Sequence, residues 1–340
     1  MKKILVTGGT GFIGSHTVVE LQNKGYEVVI ADNLSNSSEN VIDNIFKITG
    51  KKPAFGKVDV AEKDQFFKFL SQHSGIESII HFAASKAVGE SVQQPLKYYR
   101  NNINGMINVL EAMKEFNIPN LVFSSSCTVY GQPEKLPVTE QSPIQPALSP
   151  YGNTKQINEE IIHDFLSVNQ GLHCIALRYF NPVGAHPSSL IGELPLGVPA
   201  NLVPFITQTA AGIRECLSVF GNDYNTPDGT PIRDYIDIID LANAHIAAIN
   251  RMEENKQKSS LEFFNIGTGR GLSVLELIKT FEEATGVKLN YKIVGRRAGD
   301  IEKVWADTSY ANKELGWKAV VPLKETLLNA WKWQQKLADN

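Results

Sequence analysis

The sequence predicts an α/β protein, a doubly wound parallel sheet joined to a smaller mixed α/β unit. Three observations carry this. Short apolar runs rich in branched residues alternate with helix-period segments up to about residue 180. A glycine-rich turn, VTGGTGFIGSH at 6–16, joins the first run to the first helical segment. An acid, Asp32, ends the second run.

Taken in order, KKILVT (2–7) is a buried strand ended by glycines, and GFIGSHTVVELQNKG (11–25) a helix closed by glycine. EVVIAD (27–32) is a second strand, SENVIDNIFKITG (38–50) a helix, and PAFGKVDV (53–60) contains a third strand. AEKDQFFKFLSQH (61–73) is helical and IESIIHFA (76–83) a fourth strand. A long helix covers 95–117 and a fifth strand opens NLVFSSS (120–126). A helix opened by Pro150 precedes the sixth strand, LHCIALRYF (172–180). Strict alternation of this kind predicts a parallel sheet covered on both faces. After Asn181 the rhythm breaks, and 181–204 is dense in Pro and Gly, as long shaped loops are. DLANAHIAAIN (240–250) and EFFNIGTG (262–269) resume a helix and a strand, and 273–286 and 308–317 add helical pieces.

The composition narrows the function. The chain has 340 residues, 42% hydrophobic and 20% charged, with a net charge of -3 and a pI of about 6.2. Nothing in it suggests a nucleic-acid footprint. The start is too short an apolar run for a signal peptide, and no stretch reaches the roughly 20 apolar residues of a membrane span. Cys127, Cys174 and Cys216 are far apart and fit a reducing cytoplasm. The seven histidines form no spaced metal-ligand set, so no metal is expected, and His81 and His163 are expected to pack or face solvent. Trp305, Trp317, Trp331 and Trp333 are expected in the core of the second unit.

Gly8, Gly9, Gly11 and Gly14 lie between a strand and a helix, where backbone amides can approach a pyrophosphate. From Gly9 the spacing is G-x-G-x-x-G, a weak signal alone that the strand–helix context and Asp32 strengthen. A carboxylate at Asp32 accepts from both ribose hydroxyls and repels a 2'-phosphate, which favours NAD over NADP. The plainer role for Asp32 is a turn cap.

SPYGNTK (149–155) places Tyr151 and Lys155 one helical turn apart. As an exposed pair they would contribute almost nothing to stability. Beside a nucleotide they can do more. Free tyrosine titrates near 10, and bringing it to about 7 takes roughly 4 kcal/mol. A cation at about 4 Å, at an effective dielectric near 20, supplies on the order of 4 kcal/mol. Tyr151 is thus a candidate base for an alcohol proton. SSSCTVYG (124–131) ends the fifth strand on the ligand side of such a sheet, so Ser124, Ser125, Ser126 and Thr128 are candidate hydroxyls for the same oxygen, Ser126 above the others. A serine triplet in a loop is otherwise ordinary turn chemistry.

TGGTGFIG, HFAASKAVGES, YYRNNINGM, FSSSCTVYG, SPYGNTK, RYFNPVGAH, IRDYI, RRAGD and WAD together resemble the extended short-chain dehydrogenase/reductases, most closely their UDP-hexose 4-epimerase branch, nearly end to end. The resemblance implies a Rossmann-type NAD-binding domain (1–180 plus about 236–270) and a nucleotide-sugar-binding domain (about 181–235 plus 271–340). It implies catalysis by Ser126, Tyr151 and Lys155. Gly8, Gly11, Phe12 and Ile13 would hold the pyrophosphate of NAD, and Asp32, Asn33, Asn36 and Ser37 the adenosine ribose. Asp59 and Val60 would meet the adenine. Phe82, Lys86, Asn101 and Phe180 would line the cofactor, with Tyr151 and Lys155 at the nicotinamide end. Asn181, Asn201, Leu202, Phe220, Arg233, Arg297 and Asp300 would hold the UDP-hexose beside Ser126. Taken alone, Lys86 reads as a solvated charge, Asn101 as a surface amide and each arginine as a surface ion-pair member.

The implied reaction interconverts UDP-galactose and UDP-glucose at C4 through a transient 4-keto sugar. Val304, just before the WAD tryptophan, stands where a bulky tyrosine goes with plain hexoses, so a small residue there implies turnover of UDP-GalNAc and UDP-GlcNAc as well. A homodimer through helices at 95–116 and 151–169 is also implied. The rivals are a 4,6-dehydratase, a decarboxylase and a non-catalytic NAD sensor. The dehydratase carries an Asp-Glu pair before VYG and the decarboxylase a Glu, where this chain has Cys127 and Thr128. A sensor tends to lose the tyrosine or lysine, which this chain keeps.

Overall fold

The computed structural model describes residues 2–297 and 300–338; Ala298 and Gly299 of the RRAGD segment lie outside the described residues. The first half alternates as β1 (Lys3–Thr7), α1 (Phe12–Asn23), β2 (Glu27–Asp32), α2 (Asn40–Thr49), β3 (Ala54–Lys57), α3 (Lys63–Leu70) and β4 (Ile76–His81). It continues through α4 (Val88–Gln93), α5 (Pro95–Glu115), β5 (Asn120–Ser124), a 3-10 turn (Cys127–Tyr130), α6 (Pro150–Val168) and β6 (His173–Tyr179). The second half runs β7 (Asn181–Val183), α7 (Leu202–Ala210), β8 (Leu217–Phe220), β9 (Ile232–Arg233), β10 (Tyr235–Asp237) and α8 (Ile238–Glu253). Then come β11 (Leu261–Ile266), β12 (Leu272–Ser273), α9 (Val274–Thr285), β13 (Tyr291–Val294), α10 (Ser309–Glu314) and α11 (Leu323–Ala338).

Seven strands form one parallel sheet in the order β11-β6-β5-β4-β1-β2-β3. The strand order reverses between β1 and β4, and a crevice opens there at the strands' carboxyl ends. The strands are apolar throughout because both faces are covered. Ile4, Val6, Val28, Ile30 and Ile80 face one cluster with α1 and α8, while Leu5, Val29, Ala31 and Ile79 face another with α3, α5 and α6. Successive side chains therefore alternate between two buried layers.

A third cluster joins Val203 and Ile206 of α7, Leu277 and Phe281 of α9, and Leu327 and Ala330 of α11, with Leu217, Val219 and Tyr235 from short strands. Three of those strand pairs, β10-β7, β12-β9 and β13-β8, form small separate sheets. Segment 181–204 is irregular apart from β7 and the start of α7. Trp317, expected in the second core, packs instead with Ile266 and Ala311 on the α1–α8 side and donates to Asp240 O at 2.9 Å. Trp331 does pack against the third cluster.

Candidate active site

A cleft of about 2220 Å³ runs along the carboxyl edge of the main sheet and under the short strands. Every residue expected at a cofactor, substrate or catalytic position lines this one cleft, although the positions come from widely separated segments.

At one end, Gly8 has φ of +70°, and a Cβ there would stand 2.8 Å from Ala83 N. A Cβ on Gly14 would stand 2.2 Å from Gly8 O. Only glycine permits this approach of α1 to the turn. The N-cap of α1 is Gly11 and no side chain caps the helix, so its first-turn amides are open to an anion. Asp32 is buried at the end of β2, taking Thr10 N at 3.1 Å on Oδ2 and Leu34 N at 2.9 Å on Oδ1. It is a turn cap as well; Oδ1 also takes a long bond from Ser37 Oγ at 3.5 Å, while Oδ2 keeps a lone pair for a ribose hydroxyl. Asn33 donates to Asp59 Oδ2 at 3.0 Å, which fixes the floor where β2 and β3 end.

Mid-cleft, Ser149 caps α6 by accepting from Gly152 N at 3.1 Å, with Pro150 in the first turn. A cap of this kind contributes about 1 kcal/mol. It fixes Tyr151 and Lys155 on the buried face, 9% and 3% exposed. The structure separates the serines. Ser124 Oγ bonds the Tyr179 hydroxyl, and Ser125 Oγ donates to Glu159 at 2.6 Å, so both are used internally. Ser126 Oγ accepts from Thr128 N at 3.2 Å and lines the cleft near enough to Tyr151 to favour its phenolate.

The electrostatics correct one expectation. Lys155 Nζ donates to Ser124 O at 2.6 Å and lies 5.8 Å from the centre of the Tyr151 ring. Burial, helped by Tyr179, holds the Tyr151 phenol above the ordinary tyrosine value, and Ser126 pulls the other way without prevailing. Lys155 does not bring Tyr151 toward 7 by itself. The lysine is itself pushed down to about 8 by burial, opposed by Glu159. The simple point-charge argument left out the cost of burying both groups, which the lysine alone does not offset.

At the far end, Arg233 and Arg297 converge on Asp300 Oδ1, at 2.8 Å and 3.2 Å. Arg297 also stands 5.8 Å from the centre of the Phe220 ring. Two guanidinium forks side by side suit a diphosphate. Val304 is buried, in a small cluster with Val129, Phe180 and Ala306. Glu193, which the sequence did not single out, accepts from Asn201 at 2.6 Å and pairs with Lys86 at 3.4 Å across the cleft. Trp333 holds the same loop by donating to Glu193 O at 3.0 Å, so this tryptophan serves the cleft. The density of Pro and Gly marked the loop, but no local pattern marked Glu193. Among the described residues, no group of three or more His, Cys, Asp or Glu side chains is arranged to hold a metal, and no helix is long and apolar enough to cross a membrane.

A dinucleotide cradle beside a buried Ser-Tyr-Lys set, on a sheet of this order, defines a nucleotide-dependent enzyme of the short-chain dehydrogenase/reductase type. A family model described as GDP-mannose 4,6 dehydratase matches residues 5–329. UDP-glucose 4-epimerase of Dictyostelium discoideum is 50% identical over 332 residues, covering 98% of this chain and 95% of the relative. The Bacillus subtilis enzyme of the same name is 48% identical, covering 97% and 96%. A Stenotrophomonas maltophila UDP-glucose-4-epimerase structure with bound NAD and formylated UDP-arabinopyranose matches with TM-score 0.96 and 46% identity, covering 100% of this chain and 99% of that one. A Campylobacter jejuni structure described as a UDP-Glc/GlcNAc 4-epimerase matches with TM-score 0.84 at 33% identity, covering 99% and 100%. The chain belongs to this family of nucleotide-sugar enzymes, as a member of its UDP-glucose 4-epimerase group.

Proposed function

We propose that this enzyme interconverts UDP-galactose and UDP-glucose at C4 with tightly held NAD, through a transient 4-keto sugar. The observation that carries the reading is the convergence of Ser126, Tyr151 and Lys155 with Arg233 and Arg297 in one cleft. NAD fits the residues present: the Gly8–Gly14 cradle would be filled by any side chain, and Asp32 retains acceptor capacity. Bound there, NAD supplies a reversible hydride acceptor. Phe82, Asn101, Phe180 and the β2–β3 residues would hold it. As the phenolate, which the charges of Lys155 and of the oxidised nicotinamide would favour, Tyr151 takes the proton of the sugar 4-hydroxyl and later returns it. Ser126 shares that oxygen through its own hydrogen bond. Lys155, anchored on Ser124 O, keeps positive charge beside the phenol. Arg233 and Arg297 grip the diphosphate, so that the hexose can turn while the nucleotide stays. A first domain around the main sheet and a second around the third cluster are part of this reading.

The test is conversion of UDP-galactose to UDP-glucose with no NAD added, together with native mass spectrometry. Turnover and a mass increment of one NAD per chain are expected; NAD bound without turnover refutes the catalytic reading in favour of a sensor. Activity is expected to fall as pH rises past about 8, because Lys155 titrates there. A flat profile to pH 10 refutes that role. The exposed Leu96, Ile107 and Val168 on α5 and α6 support a homodimer through these helices, which the same spectrum reads as subunit count. A cytoplasmic site of action also belongs to this reading.

Elimination of water is not favoured. It needs an acid and a base ahead of VYG, whereas burial pushes the Cys127 thiol up to about 12 and Thr128 is an alcohol. The small Val304 supports turnover of the N-acetylated pair. Val304→Tyr is expected to cut UDP-GalNAc turnover by at least about 10-fold while leaving UDP-galactose within a few-fold. Equal loss on both substrates refutes the role of this position.

A further inference from the structure

Glu159 stands on α6 one turn beyond Lys155 and two beyond Tyr151, so the three share a helix face. Its carboxylate is buried, and Arg178 of β6 grips both oxygens, Nε to Oε1 at 2.9 Å and Nη2 to Oε2 at 2.7 Å. Ser125 Oγ supplies a further bond at 2.6 Å. Arg178 also donates to the Tyr130 hydroxyl at 3.1 Å, and Tyr130 donates to Asn265 Oδ1 at 2.7 Å. The end of β5 is thereby tied to α6 at two successive residues, Ser124 through its carbonyl to Lys155 and Ser125 through its side chain to Glu159. Ser126 follows in extended backbone, φ -157° and ψ 149°, which turns its hydroxyl to the cleft.

We propose that the Glu159–Arg178 pair is a positioning device that sets the register of the β5 end against α6, so that Ser126 and Lys155 face the cleft together. This rests on the reading of Ser126, Tyr151 and Lys155 as the reacting set. A pair that only held α6 to the sheet would have no need of Ser125, and would leave Lys155 untouched. Glu159 instead opposes the burial that brings Lys155 down to about 8. The other groups packed around Lys155, Tyr151 and Arg178 keep their charge state near that pH. His81 of β4 is pushed down to about 3 by burial, while Cys127 of the 3-10 turn and Tyr179 of β6 are pushed up to about 12. Tyr98 of α5 is held high by burial and by Glu90 of α4, whose own carboxyl is held low by Lys97 and Tyr98. Tyr130 is pushed up to about 12 by burial, and β11 presents Phe263 and Asn265, which do not titrate.

The test uses the full chain with its bound cofactor and three variants. Ser125→Ala removes one bond and no charge: kcat is expected to fall about 5- to 10-fold, the worth of one hydrogen bond, with KM and the high-pH limb unmoved. Glu159→Gln/Arg178→Met removes both charges without stranding either. Its high-pH limb is expected to move to lower pH, because Glu159 is the group that raises Lys155. Unchanged kcat in Ser125→Ala, or an unmoved limb in the double variant, overturns the proposal. If the double variant does not fold, kcat of Ser125→Ala decides alone. Lys155→Met separates the two readings. If it stays active, the reacting set is wrong, whereas if it is inactive and the limb does not move, only the role of Glu159 fails.

Discussion

Tyr151→Phe is expected to lower kcat by about 10³-fold, within the range for loss of a positioned general base. The ring stays where the Ser149 cap and α6 put it, so bound NAD should be unchanged. The loss should fall on kcat far more than on KM, because the diphosphate is gripped elsewhere, by Arg233 and Arg297. Initial rates on UDP-galactose, with NAD content measured on the same sample, check this. A phenylalanine variant within about 10-fold of the parent would remove Tyr151 from the chemistry. The field that burial creates gives the experiment its interest. The protein's own groups hold this phenol above its ordinary value, and Ser126 is the neighbour that opposes them. Proton transfer from Tyr151 therefore depends on positive charge brought close to it, and Lys155 carries that charge only below about pH 8.

The second large effect is expected at Gly14. A methyl there would lie 2.2 Å from Gly8 O and 2.8 Å from Gly9 Cα, both backbone atoms of the phosphate-side turn. Neither can rotate away, so α1 must tilt off the sheet. Overpacking of this kind costs about 3 kcal/mol. At roughly 2–4 °C per kcal/mol, Gly14→Ala should lower Tm by about 6–12 °C. It should also lose most of its bound NAD, because the first-turn amides of α1 move with the helix. Gly89→Ala is the control: a Cβ there meets nothing within 4 Å, so Tm and NAD content should stay near the parent. Equal behaviour of the two variants would show that α1 is not held by close approach at Gly14.

Much of the main sheet was legible because its signals are local. Branched apolar runs of about five residues, each followed by a helix-period segment, leave few arrangements for a parallel sheet. The glycine loop, Asp32 and the Tyr151–Lys155 spacing were legible for the same reason, since each needs only a few neighbours in the chain. The second half was harder to read. Strands such as Ile232–Arg233 and Leu272–Ser273 have two residues each, too short to show a period. The helix Leu323–Ala338 was also passed over, although its apolar residues do recur.

The parallel α/β sheet, the dinucleotide turn and the pairing of a tyrosine with a lysine one helical turn away could all be read from the amino-acid order, because periodicity and spacing are properties of neighbouring residues. The fold was needed to show that Ser125, unlike Ser124 and Ser126, lies off the cleft, that Lys155 is bound to a backbone carbonyl rather than to the phenol, and that Glu159, Arg178 and Ser125 form one buried unit. It also decided that Glu193 spans the cleft between Lys86 and Asn201. The reason is physical. Hydrogen bonds between residues tens of positions apart, and the cost of burying a charge, depend on what the fold packs around each group, and no stretch of sequence contains that environment.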